Sequence, residues 1–160
     1  MKIKPYLIFL GLIILIGAFL RLYNLSNIPP GPTVDEASIG WNAYSLLKTG
    51  ADEYLAKFPI LLRAYDDFRP AIYSYLVVPF VAIFGLSSLA VRLPSVILSI
   101  LSIIAVYFLV RYLTKGTGSV KIGTINLDIP IIATFLLSIS PWSIYLSRLG
   151  HEVNLGLTAF

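Results

Sequence analysis

The sequence predicts an all-α, multi-pass integral membrane protein, and three observations carry that prediction. Of its 160 residues, 58% are hydrophobic and 12% charged, whereas a soluble domain is about a quarter charged. Mean hydropathy is +0.86. The apolar residues also gather into runs: Tyr6–Leu20, Leu93–Val110 and Ile129–Tyr145 hold no charged side chain at their centres. Such runs approach the ~20 residues that cross about 30 Å of hydrocarbon as a helix.

The first run follows Lys2 and Lys4 and extends to about Leu25. As an uncleaved anchor over 5–25 it spans the bilayer, with Arg21 snorkelling to the far interface. No small-x-small cleavage site follows it, and the two lysines place the N-terminus in the cytoplasm. Residues 26–92 then form an external loop, broken first by Pro29, Pro30, Gly31 and Pro32. Thr33-Val34-Asp35-Glu36 has the spacing of a capping box, with Thr33 as N-cap and Glu36 three residues on. Ile39, Ala43, Leu46 and Leu47 recur at helical spacing, and Gly50 suits a C-terminal cap. A helix over 34–49 is therefore expected. It is too short and too polar to span, and is expected to lie in the membrane plane.

The next apolar run, 70–84, decides the topology. A crossing there places Arg111, Lys115 and Lys121 outside, and puts Arg148 and Glu152 on the face opposite Asp35 and Glu36. A second surface helix or re-entrant segment reverses both outcomes, and leaves every acid except Asp128 outside. Short loops weigh most in the positive-inside rule, so the non-spanning reading is favoured. The crossings are then 93–113 and 129–147, joined by a cytoplasmic loop over 114–128. A further crossing starts at 151–160 but stops far short of a span, so the chain is expected to be the N-terminal part of a larger protein.

Charge and composition narrow the function. The net charge of +4 is spread without a basic cluster suited to nucleic acid. Cysteine is absent and histidine occurs once. No disulfide framework, thiolate site or multi-histidine metal centre can form within these residues. Two adjacent carboxylates, Asp35 and Glu36, just outside a bilayer are unusual in a chain so poor in charge.

Several short stretches point to one family. Arg21-Leu22-Tyr23 precedes the Pro-rich turn and Asp35-Glu36-Ala37 follows it. Asp67-Phe68-Arg69-Pro70-Ala71-Ile72-Tyr73 is similar to the pattern Asp-Tyr-Lys-Pro-Pro-Leu-Tyr. Arg92-Leu93-Pro94-Ser95 is similar to an Arg-Leu-Pro-Ser start of a membrane helix, and Ser147-Arg148 through Glu152 to a Ser-Arg plus acid segment. In this order, over nearly the whole chain, they resemble the start of the GT-C superfamily of membrane glycosyltransferases. Within it they resemble the protein O-mannosyltransferase and aminoarabinose transferase group, often grouped as family 39. The family's fold is a helical bundle with two surface helices in the first external loop. This chain departs from the pattern at Arg69, where Lys is usual, at Ala71, where a second Pro is usual, and at Glu152, where Asp is frequent. Arg69 keeps a phosphate-binding cation and adds a bidentate fork.

The resemblance implies inverting transfer of a glycosyl group from a polyprenyl-phosphate sugar on the external face of the plasma membrane. The acceptor is a protein, lipid or glycan, and membrane lipid is the surrounding partner. An acceptor hydroxyl needs a carboxylate base within hydrogen-bond reach, for which Asp35 and Glu36 are the candidates. The departing lipid phosphate needs a cation, for which Arg69 and Arg148 are the candidates. Glu152, His151 and Asp67 complete the candidate site. No cofactor is implied with certainty, and the resemblance leaves a divalent metal ion open.

Each residue also has a plainer reading. Asp35 and Glu36 suit a helix N-terminus through capping and the dipole alone. Arg69 and Arg92 suit membrane-interface anchors, the role expected of Arg92. Arg148 and Glu152, four apart, suit a helical ion pair. His151 alone suits an interface position, and Asp52, Glu53 and Asp66 suit solvated loop charges. Trp41, Trp142 and the tyrosines suit an aromatic belt. A non-catalytic membrane assembly protein is the alternative function. A transporter fits less well, because the centres of the three clear runs hold no ionisable group on an ion path.

Overall fold

The computed structural model describes residues 5–64, 67–115, 118–122 and 125–159. The expected cytoplasmic Lys2 and Lys4, and Asp66, lie outside these. Among the described residues the elements run α1 (Pro5–Leu22), α2 (Val34–Thr49), β1 (Leu61–Ala64), β2 (Asp67–Pro70), α3 (Ile72–Phe84), α4 (Ser88–Leu113), β3 (Ser119–Ile122), β4 (Ile125–Asp128), α5 (Ile129–Ile139), α6 (Pro141–Ser147) and α7 (Val153–Ala159). The chain is mostly helical, with two antiparallel hairpins that the all-α expectation lacked. In β1–β2, Leu61 pairs with Pro70 and Leu62 with Arg69. Leu62 and Ala64 are buried while Leu61 is exposed, the two-residue alternation of a strand with one face on a core. This hairpin claims Asp67–Pro70, so the helix expected from residue 70 begins at Ile72.

The helix over 34–49 forms within those limits. Thr33 Oγ1 accepts from the Glu36 N–H at 3.2 Å and the Thr33 N–H donates to Glu36 Oε2 at 2.8 Å, closing the capping box. Gly50 ends the helix at φ 69°, where a side chain is strained.

Two packing regions follow. α1 packs on α4, α5 and α6, and α4 also packs on α7, which makes a helical bundle. At one end α2 and α3 join the first turns of α4 around Ile39, Ala43, Tyr73, Val77, Val81, Ala90 and Val91. Were α3 to run straight back along α4, Tyr73 would lie level with Ser99, about 18 Å from the turn at Gly85. Instead the Tyr73 hydroxyl donates to the Val91 carbonyl at 2.9 Å, in the first turn of α4. α3 therefore lies across the end of α4, as part of a cap with α2. Burial holds the Tyr73 phenol protonated, well above its ordinary pKa, so it serves as a fixed donor.

α4 is the one described helix long and apolar enough by itself to cross a membrane, and α5 with α6 passes the same test as a pair bent by 57°. The single helix expected over 129–147 is thus two. Pro141 has no N–H, and the residue before a proline is pushed out of the helical region; Ser140 has ψ 121°. The break leaves carbonyls without helical partners, and Arg21 takes them. Its Nη1 donates to Ser138 O at 2.8 Å, Nη2 donates to Ser143 Oγ at 2.8 Å, and Nε donates to Ser99 Oγ at 2.9 Å. Arg21 is fully buried, so the snorkelling expected of it is corrected: these carbonyls and hydroxyls hold it inside.

Outer surfaces of the bundle are apolar. Leu7, Phe9, Leu12, Leu15, Ile16 and Phe19 are exposed on α1, Leu101, Phe108 and Leu109 on α4, and Phe135 and Leu136 on α5.

Candidate active site

The cap is positioned by the turn that precedes α2. The last carbonyls of α1 have no helical partner, and Pro29, Pro30 and Pro32 contribute no N–H donors. Two arginines from later in the chain supply the missing donors. Arg148 donates to the carbonyls of Leu20 at 2.8 Å, Tyr23 at 2.6 Å and Ile28 at 2.9 Å. Arg92 donates to Leu25 at 3.0 Å, Pro29 at 2.9 Å and Gly31 at 2.6 Å. The turn is therefore gripped from two sides, and it delivers Thr33 to α2 in a fixed place.

Arg92 also forms the most buried ion pair of the described residues. Its Nε donates to Glu36 Oε1 at 2.7 Å and its Nη2 to Glu36 Oε2 at 3.1 Å, with both side chains at most 1% exposed. The Gly150 N–H adds a bond to Glu36 Oε1 at 2.9 Å. A Cβ on Gly150 would stand 2.5 Å from Val91 Cγ1 and 3.2 Å from Glu36 Cγ, so only glycine brings its amide this close. Burial alone raises the Glu36 carboxyl pKa. The Arg92 hydrogen bond and the amides of Thr33 and Gly150 outweigh that, and hold it below its ordinary 4.5. Glu36 has both oxygens engaged within the fold and is 1% exposed. The structure places Glu36, a candidate base, in the framework of the cap, and Arg92, expected as an interface anchor, is its buried partner.

Asp35 meets a different surface. Successive helical residues point about 100° apart, so Asp35 turns toward the hairpin when Glu36 turns inward. Arg69 of β2 donates from Nη2 to Asp35 Oδ1 at 3.0 Å, and the two side chains are 17% and 49% exposed. This is the one side-chain hydrogen bond of Arg69 among the described residues. The structure therefore joins two sequence candidates that lie 34 positions apart.

The remaining candidates separate. Arg148, a candidate for the phosphate, is buried among the α1 and turn carbonyls, with its guanidinium engaged there. It makes no pair with Glu152, whose Oε2 lies 3.3 Å from His151 Nδ1. That nitrogen is buried without a hydrogen bond. The Asp67 backbone lies in β2, opposite Ala64, and its side chain lies outside the described residues. Asp52, expected in solvent, is 3% exposed; its Oδ1 accepts from the N–H groups of Tyr54 and Ala56 at 2.9 and 2.8 Å. For the divalent ion left open by the sequence, no group of three or more His, Cys, Asp or Glu among the described residues is arranged to hold a metal.

The role of Arg92 was missed for want of a local signal, since its carboxylate partner lies 56 positions away. The one available hint was composition: an acid expected at a buried helix N-terminus requires a cation somewhere. Compared with family models, with curated proteins and with solved structures, the chain matches none.

Proposed function

We propose that this chain is the acceptor-activating part of a membrane glycosyltransferase that takes its sugar from a polyprenyl phosphate, with Asp35 as the base and Arg69 as the phosphate-binding cation. The observation that carries this reading is the state of four arginines. Arg21, Arg92 and Arg148 have every guanidinium nitrogen hydrogen-bonded within the fold. The Arg69 side chain is mostly sheltered, yet among the described residues its guanidinium donates a single bond, to an exposed carboxylate. Its remaining donors suit an arriving anion.

The step is a single displacement. The acceptor oxygen attacks the anomeric carbon, and its proton passes to Asp35. The bond from that carbon to the phosphate oxygen breaks, and its electron pair leaves with the polyprenyl phosphate. That product carries one more negative charge than the donor, which Arg69 stabilises. A donor phosphate also competes with Asp35 for the same guanidinium, so its arrival releases the carboxylate toward the acceptor. A groove of about 480 Å³ beside α2, lined by Pro32, Ala37, Trp41, Leu86 and Val91 with the arginine-paired Glu36 at its wall, suits the start of an isoprenoid chain.

Membrane insertion belongs to the same proposal. The exposed apolar side chains on α1, α4 and α5 support it, since contiguous apolar surface marks a membrane or partner contact. With α3 in the cap, the cap is external and the β3–β4 hairpin cytoplasmic. A cysteine at Ser38 should react with an impermeant thiol reagent in intact cells, and one at Ser119 should be protected; labelling at 119 from outside overturns that threading.

The decisive experiment is transfer from a polyprenyl-phosphate sugar by the full-length protein carrying Asp35→Asn. Transfer should be abolished while expression holds, because Thr33 still caps α2 and losing one charge in its first turn costs at most about 1 kcal/mol. Near-normal turnover would reduce Asp35 to a helix-terminus residue and favour the non-catalytic assembly protein.

A further inference from the structure

A second groove lies on the hairpin side of α2, where Val34, Ser38 and Trp41 and, across about 390 Å³, Glu53, Tyr54 and Ala64 form its walls. Glu53 is exposed, yet it is held in one place by a buried amide. Asn42, 1% exposed, donates from Nδ2 to Glu53 Oε1 at 3.0 Å and accepts from the Glu53 N–H at 3.1 Å. Oε2 of Glu53 has no partner among the described residues. Next to it the Trp41 ring is half exposed, and Tyr44 braces it with centroids 6.0 Å apart at 27°.

We infer that this groove holds a pyranose ring, with its C–H face on the Trp41 indole and its hydroxyls donating to Glu53 Oε2. An immobilised acceptor beside an aromatic face is the pattern for a rigid polyol, which presents an apolar face and a ring of donors. A cationic ligand fits poorly, because the Arg63 guanidinium already lies 5.2 Å from the centroid of the Tyr54 ring, on the same wall. Ser38 stands one helical turn from Asp35, so a ring in the groove lies within reach of the proposed base. The assignment of that ring to donor or acceptor rests on the proposed transfer reaction; sugar binding itself does not.

The test is a fluorescence titration of the full-length protein in detergent. With Trp142→Phe, Trp41 is the sole indole of these 160 residues. The probes are methyl α-mannopyranoside, methyl α-glucopyranoside, methyl β-galactopyranoside and methyl β-arabinopyranoside. At least one should change the emission saturably, and the change should vanish on adding Trp41→Phe. Glu53→Gln keeps an oxygen for Asn42 but removes the charge, and should weaken that binding by at least about tenfold. No saturable response to any glycoside, or unchanged binding in Glu53→Gln, overturns the inference. Competition by mannosyl undecaprenyl phosphate, but not by undecaprenyl phosphate, assigns the groove to the donor sugar; retained binding without competition assigns it to the acceptor. Asp35→Asn separates the two readings. Lost transfer with no glycoside response removes this groove and leaves the proposed reaction standing. Intact transfer with a glycoside response does the reverse.

Discussion

Asp35 and Glu36 are neighbours in sequence with the same chemistry, and each pairs with one arginine. Glu36 and Arg92 are buried and bonded at every oxygen and nitrogen. Asp35 and Arg69 share one bond at a surface. The difference teaches that burial, more than charge, divides framework from reactivity in this cap. A desolvated pair with complete hydrogen bonding is a fixture, and opening it leaves a buried charge without a partner. A half-exposed pair is worth at most about 1 kcal/mol, so an incoming anion can replace one member at little cost.

That contrast breaks most visibly at Arg92. Arg92→Ala strands Glu36 and releases the carbonyls of Leu25, Pro29 and Gly31, and should cost about 3–5 kcal/mol of stability. Thermal unfolding in detergent measures it; a loss no larger than that of Arg69→Ala would erase the distinction between the two pairs.

Arg69 should show the opposite profile. Arg69→Ala should lower transfer by about two orders of magnitude, the loss of a charge-assisted phosphate contact worth ~2–4 kcal/mol, while stability moves by at most about 1 kcal/mol. Arg69→Lys should retain substantial activity, since a point charge also serves a phosphate. Initial rates against donor concentration decide it, and wild-type rates in Arg69→Ala would make Arg69 an interface anchor.

Gly150→Ala sharpens the framework side. The added methyl meets Val91 and displaces the amide from Glu36, so a cost of about 1–3 kcal/mol is expected. Stability unchanged by this substitution would mean that α4 yields freely and that the Gly150 amide contributes little.

The smallest effect is a pH dependence. Glu36 is held below its ordinary 4.5 when folded. As pH falls past that value the unfolded chain takes up the proton first, so folding stability declines from there down toward the folded pKa. Above it the contribution is complete. Glu36→Gln should flatten this acid limb of the melting curve, and an equally steep limb in the variant would assign it to other carboxylates.

Much of the cap was legible locally. Thr33, Glu36 and Gly50 mark the ends of α2 because capping depends on residues three or four apart. The pairing of Asp35 with Arg69 was anticipated only as two candidates near one surface, and the β1–β2 hairpin that joins them was not. Its strands are four residues each, too short for a periodic signal. The kink between α5 and α6 was not anticipated, because 129–147 reads as one apolar run, and neither was the arginine that fills it.

By itself, the sequence determined what depends on composition and near neighbours: an apolar helical chain, the limits of α2, and a Pro-rich turn short of donors. Only the tertiary structure decided how the charges were distributed. Arg21, Arg92 and Arg148 satisfy carbonyls and a carboxylate mostly far from them in sequence, because a buried polar group must find its partner wherever the fold provides one. Arg69 was left with donors to offer for the same reason. Among the described residues no orphan group lies close enough to claim them, and that is a property of packing which no local pattern encodes.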